Sequence, residues 1–202
     1  YYHHFSKNSL SRLAGAKPSE VTAMNSLTVN LHLMLTSFYK PSGSRIKILV
    51  EPRPFPSDHY ALESHARING FDPENVIVEM EPNSFYLNNE NIIKTINDLG
   101  DELALVMMGG VNYYTGQAFD IKQITNAAHK AGAIAGFDLA HAIGNLKLSL
   151  HDWDVDFAMW CSYKYLNSGP GAVGGIFVNE KHGHDKNLKR MAGWWGHLEQ
   201  ER

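Results

Sequence analysis

Lys164 lies near the end of the run Asp156-Phe-Ala-Met-Trp-Cys-Ser-Tyr-Lys-Tyr165, where a short apolar stretch gives way to the glycine-rich segment 167–175. An amine flanked by Trp160, Tyr163 and Tyr165 is expected to be partly desolvated, which favours its neutral form. In that form a lysine condenses with an aldehyde to give an imine. Asp138 and His141 follow a second apolar stretch, 133–137, with Asp138 26 positions before the lysine. That spacing accommodates one crossover between neighbouring parallel strands.

The pair suggests one cofactor. Pyridoxal phosphate acts as an electron sink while its ring nitrogen stays protonated, so a carboxylate must face that nitrogen while a lysine carries the aldehyde carbon. Asp138 is the candidate for the first task and Lys164 for the second. Each residue alone has a plainer reading, because strand-end lysines are commonly solvated and Asp-x-x-His commonly caps a helix. Their combination is more specific.

The elements that must hold these residues are legible as apolar runs of strand length at 46–50, 76–80, 103–108, 133–137, 157–161 and 173–178. They are near-continuously apolar, as strands buried on both faces are. Between several of them lie helix patterns at 27–39, 59–69, 91–99 and 121–131. The alternation predicts an α/β fold, a mainly parallel sheet flanked by helices on both faces.

Two further segments fall where such a fold places ligands. Ser26-Leu27-Thr28 precedes a helix expected to begin near Val29; its hydroxyls and unpaired backbone N–H groups suit either plain capping or a phosphate. Phe55-Pro-Ser-Asp58 follows the strand at 46–50. It reads either as a rigid turn whose Asp58 caps a helix starting near His59, or as a ligand contact in which Phe55 stacks on a ring and Ser57 and Asp58 add polar groups. The segment 168–175 is no dinucleotide fingerprint, since no helix is expected after it; its glycines would let the backbone pass close to a cofactor or a partner subunit.

Composition narrows the function classes. At 202 residues the chain can bury one sizeable core. A net charge of −3 without a basic stripe argues against nucleic acid or an anionic membrane as partner, and no apolar stretch has membrane-spanning length. One cysteine, Cys161, fits a reducing compartment, and a cytoplasmic location is expected. The 11 histidines form no convincing metal set: His3-His4 sits in a terminus expected to fray, and His182 with His184 lacks ligand spacing. A serine hydrolase is unsupported without a Gly-x-Ser-x-Gly elbow.

The longer strings Asn25-Ser-Leu-Thr-Val-Asn-Leu-His32, Phe55-Pro-Ser-Asp-His-Tyr60, Tyr114-Thr-Gly-Gln117, Gly136-Phe-Asp-Leu-Ala-His-Ala-Ile-Gly-Asn145, Leu150-His-Asp-Trp153 and Trp160-Cys-Ser-Tyr-Lys-Tyr-Leu-Asn167 resemble the kynureninases. These are fold-type-I pyridoxal phosphate enzymes related to aspartate aminotransferase, and the resemblance runs from about residue 20 to 197. It implies that Lys164 carries the cofactor and shuttles protons, that Asp138 pairs with the ring nitrogen, and that Phe55 stacks on the ring. Leu27, Thr28 and Tyr163 would surround the phosphate, with Ser57, Asp58 and His141 completing the site and Tyr163 assisting a proton transfer. Trp194 would reach cofactor in a site shared across a homodimer. The implied reaction is hydrolysis of L-kynurenine or its 3-hydroxy derivative, a small amino-acid substrate, to anthranilate or 3-hydroxyanthranilate and L-alanine.

Gly109 departs from the serine some kynureninases carry there. The resemblance also implies that residues 1–202 are a cofactor-binding large domain truncated at both ends, with the small domain and its carboxylate-gripping arginine beyond Arg202. Such a piece alone is expected to be inactive. The alternatives are a truncated, non-catalytic binding isoform, or another lyase of this fold such as a cysteine desulfurase.

Overall fold

The computed structural model describes residues 2–81, 86–191 and 193. Seven strands form one sheet: β1 (Val21–Ala23), β2 (Lys47–Val50), β3 (Ile77–Glu79), β4 (Leu103–Gly109), β5 (Ile134–Asp138), β6 (Phe157–Trp160) and β7 (Gly175–Val178). Their spatial order is β1-β7-β6-β5-β4-β2-β3. All neighbouring pairs are parallel except those made by β7, which runs against both β6 and β1. The expected crossover holds, for β5 and β6 are adjacent and parallel, with Asp138 opposite Met159.

Side chains alternate strictly enough to feed two cores. Ile48, Val50, Phe157 and Met159 pack with α2 (Leu27–Phe38), α3 (Pro56–Ile68) and the one-turn α4 (Pro73–Val76) on one face. Leu49, Phe137, Ala158 and Trp160 pack with α1 (Tyr2–Ala14), α5 (Asn89–Leu99) and α6 (Ile121–Lys130) on the other. Burial on both faces explains why these strands read as unbroken apolar runs.

Four local expectations need correction. The terminus expected to fray is helix α1, which docks Leu10 and Ala14 on the core and buries Ser11, whose hydroxyl bonds back to the Asn8 carbonyl. β1 was missed; three residues that gain their place by pairing with β7 carry too short a pattern to read. α2 begins at Leu27, as the 27–39 pattern has it and two residues before the start near Val29 expected from Ser26-Leu27-Thr28, with Ser26 as its cap accepting from the Val29 N–H at 3.4 Å. α3 begins at Pro56, so Asp58 is not its cap: it stands in the first turn, buried, after Phe55, which has no side chain able to cap. Proline at the first helical position starts the helix three residues earlier than the amphipathic pattern suggests.

Candidate active site

The carboxyl ends of the parallel strands and the N-termini of α2 and α3 converge on one cleft. Leu27, Thr28, Phe55, Ser57, Asp58, Asp138, His141, Tyr163 and Lys164 all line it, so nine of the ten predicted site residues meet in one place. Trp194 lies outside the described residues. Sequence reasoning missed Glu51, Val111, Tyr113 and Ala140, which line the same cleft, and noted Gly109 only as a departure. A carboxylate just after a strand, as Glu51 is, looks in sequence like any solvated charge.

At the cleft floor Asp138, the last residue of β5, accepts a hydrogen bond from the Ala140 N–H at 2.7 Å. Asp58 lies against it, and the two carboxyls share a hydrogen bond. Burial, and then the neighbouring charge of Asp138, push Asp58 up to about 9. Burial raises Asp138 as well, but the Asp58 hydrogen bond, the Ala140 N–H and the Lys164 and His141 charges oppose that, so of the pair Asp58 is the one that holds a proton at neutral pH and donates it to Asp138. Asp58 Oδ1 is buried without a partner among the described residues. An orphaned acceptor in a cleft is where a ligand group belongs.

Lys164 corrects one expectation. Burial does work to lower its pKa, but contacts with Cys161, Tyr163 and Asp138 outweigh that, and its pKa lies above the usual lysine value. Its ammonium donates to Cys161 Sγ at 3.2 Å and sits 5.0 Å from the Tyr163 ring centroid and 5.9 Å from that of Phe55. The flanking aromatics thus hold the cation rather than strip its proton. Cys161 is buried, as a small apolar residue would be, and its sulfur also receives this bond. The Tyr163 phenol is raised, first by its hydrogen bond to Cys161, so it remains a proton donor at neutral pH. His141 is lowered by burial and by the Lys164 charge, against the pull of Asp138.

The mouth is aromatic. Phe55 meets Tyr113 edge-on at 5.2 Å, and the Arg53 guanidinium lies 5.0 Å from the Tyr114 ring centroid. Arg53 holds a left-handed φ of 52° between two prolines, and its N–H donates to Glu79 at 2.8 Å, which fixes the turn presenting Phe55. At the opposite wall Gly174 donates to the Asn25 carbonyl at 2.6 Å. A Cβ at Gly174 would meet the Trp160 carbonyl oxygen at 2.7 Å and the Leu27 nitrogen at 3.3 Å. The glycine-rich segment thus lets its backbone press against the N-terminus of α2, whose first-turn N–H groups have no helical partner.

Residues 22–191 match the family model for aminotransferase class-V proteins. The chain belongs to the aminotransferase class-V family. It is 58% identical to the kynureninase of Flavobacterium psychrophilum over 96% of its own length and 46% of that protein. It is 56% identical to the kynureninase of Myxococcus xanthus over its full length and 48% of that relative. The chain therefore spans about half the length of the curated relatives it matches. Among solved structures it resembles the apo cysteine desulfurase of Thermococcus onnurineus NA1, with a TM-score of 0.73 at 19% identity, covering 89% of this chain and 43% of that one. A mutant of C-DES with glycine covalently linked to its PLP cofactor gives a TM-score of 0.74 at 18% identity, covering 87% and 45%. The fold is that of the fold-type-I pyridoxal phosphate enzymes.

Pyridoxal phosphate is the cofactor of this class-V family, and the cleft fits it on its own chemistry. It offers an amine, a buried carboxylate with an orphaned acceptor beside it, an aromatic face, and a helix N-terminus at the other end.

Proposed function

We propose that the protein carrying this chain hydrolyses L-kynurenine or 3-hydroxy-L-kynurenine to the anthranilate and L-alanine, with residues 1–202 contributing its cofactor-binding large domain. The observation that carries this reading is identity of 52–58% to several kynureninases along almost the whole chain. When bound, pyridoxal phosphate supplies an electron sink for charge developing on the substrate α-carbon.

The chain's own residues do the rest. The Leu27 and Thr28 N–H groups and the Thr28 hydroxyl hold the phosphate, with Tyr163 beside it. Phe55 packs on the ring face, and Ser57 and His141 complete the walls. Asp138 would face the ring nitrogen, its charge favoured against burial by the proton that Asp58 donates to it. Lys164 Nζ would be the attachment point and the atom that takes and returns the α-proton. Tyr163, still carrying its phenolic proton, would assist a proton transfer: water adds to the aryl carbonyl, which leaves as the anthranilate, and the alanine β-carbon takes up a proton. The exposed aromatics at the mouth, Phe55, Tyr113, Tyr114, Tyr163 and Tyr165, suit burial against a second copy, so the reading includes a homodimer with a shared site to which Trp194 contributes. No described helix is long and apolar enough to cross a membrane, and a cytoplasmic location completes the proposal.

The test is release of anthranilate, by its fluorescence, with equimolar L-alanine from L-kynurenine, using the parent polypeptide loaded with cofactor and its Lys164→Ala variant as control. Cofactor bound at Lys164 without product release would favour a non-catalytic binding protein instead. Cys161 itself is poorly placed for desulfurase chemistry, being buried against Lys164.

A further inference from the structure

Glu51 follows β2 directly and is only 5% exposed, yet it lines the cleft. Both of its carboxylate oxygens lie within reach of one donor, the Gly109 N–H, at 3.0 and 3.1 Å. A Cβ at residue 109 would meet Glu51 Oε1 at 2.9 Å, so the bare glycine leaves the carboxyl open to the cleft. Three carboxyls, Glu51, Asp58 and Asp138, thus share one buried wall with a single ammonium, Lys164.

We propose that Glu51 is a positioning residue of the cofactor-ring site, a buried carboxyl beside Asp58 and Asp138 that answers the arrival of a ring cation in the cleft. The inference rests on the cofactor reading above. The titratable groups around it are Asp58 on α3, Glu79 on β3, Asp138 and His141 at and after the end of β5, Tyr113 after β4, and Tyr163 and Lys164 after β6. With Asp58 protonated, Glu51 is the next group to yield: burial first, then the Asp138 and Glu79 charges, push it up to about 7. A cation in the cleft favours its ionised form, and the proton leaves to solvent. The charge gained binds the ring cation more firmly without touching the reacting atoms.

The test titrates pyridoxal phosphate into the parent polypeptide, freed of cofactor, and its Glu51→Gln variant between pH 6 and 8, by visible absorbance and by calorimetry in buffers of differing ionisation enthalpy. Glutamine keeps an acceptor for the Gly109 N–H and mimics the neutral carboxyl. For a fall of about one pKa unit on binding, the wild type releases about 0.4 more proton at pH 7 than the variant, and its affinity rises about fivefold more from pH 6 to 8. Equal proton counts and parallel pH profiles overturn the role of Glu51 and leave the cofactor reading intact. No binding by either protein at any pH overturns both. If Glu51→Gln does not fold, Gly109→Ser, whose Cβ must push Oε1 aside and whose hydroxyl can then donate to the shifted carboxylate, serves instead: it moves the pH of half-release downward, and an unmoved midpoint refutes the proposal.

Discussion

Asp156 stands at the entrance to β6, five residues before Cys161, and it fixes the strand that carries Lys164. Its carboxylate is 2% exposed and accepts from His129 Nε2 of α6 and His182 Nε2 after β7, each at 2.8 Å, and from the Ala135 N–H of β5 at 2.8 Å. Lys181 adds an ion pair at 3.0 Å. Burial opposes the charge, but the His129, His182 and Ala135 hydrogen bonds outweigh it and hold the pKa well below the usual carboxylate range. Asp156→Asn removes the charge and leaves up to three cationic partners facing a neutral amide. Breaking a buried charge network costs about 3–5 kcal/mol, which for a chain of this size lowers Tm by roughly 6–20 °C. Because the folded pKa is depressed, the stabilisation is fully present above the unfolded value near 3.8 and fades as pH falls through the folded one. Thermal melts by circular dichroism at pH 7 and through the acid range therefore show a wide gap between wild type and variant that narrows below about pH 4. A gap under about 2 °C at pH 7, or one that widens in acid, refutes the assignment of Asp156 as the anchor of β6.

Other perturbations separate the roles at the cleft floor. Asp58→Asn keeps a neutral donor beside Asp138 and leaves cofactor affinity within about threefold of wild type by absorbance titration, whereas Asp138→Asn removes the anion and weakens it more than tenfold. Equal losses in the two variants would mean that the proton does not reside on Asp58. Gly174→Ala forces a methyl to 2.7 Å from the Trp160 carbonyl oxygen, costs about 1–3 kcal/mol in denaturant melts, and weakens binding of inorganic phosphate at the α2 N-terminus. Normal stability with normal phosphate binding would show that this close approach is dispensable.

Much of this arrangement was legible because strand-end chemistry is local. Asp138, His141 and Lys164 each follow an unbroken apolar run, and the Phe55 and Leu27 segments announce helix starts through proline and serine. Contacts between distant residues were not legible. Nothing in the sequence joins Glu51 to Gly109, 58 positions apart, or Asp156 to His129 and His182, 27 and 26 positions away. The charge state of Lys164 was misread for the same reason, since burial was visible in its neighbours' types while the offsetting contacts with Asp138, Cys161 and the ring faces arise only on folding. The α1 helix escaped notice because its polar composition hides the few residues, Leu10 and Ala14, that dock it.

The central claim is that Lys164 and Asp138 form one cofactor site. Borohydride reduction of the chain equilibrated with pyridoxal phosphate, followed by peptide mass mapping, tests it most directly. The account predicts a single reduced adduct on Lys164, lost in Lys164→Ala and weakened in Asp138→Asn. Adducts scattered over surface lysines and unchanged in both variants would contradict it.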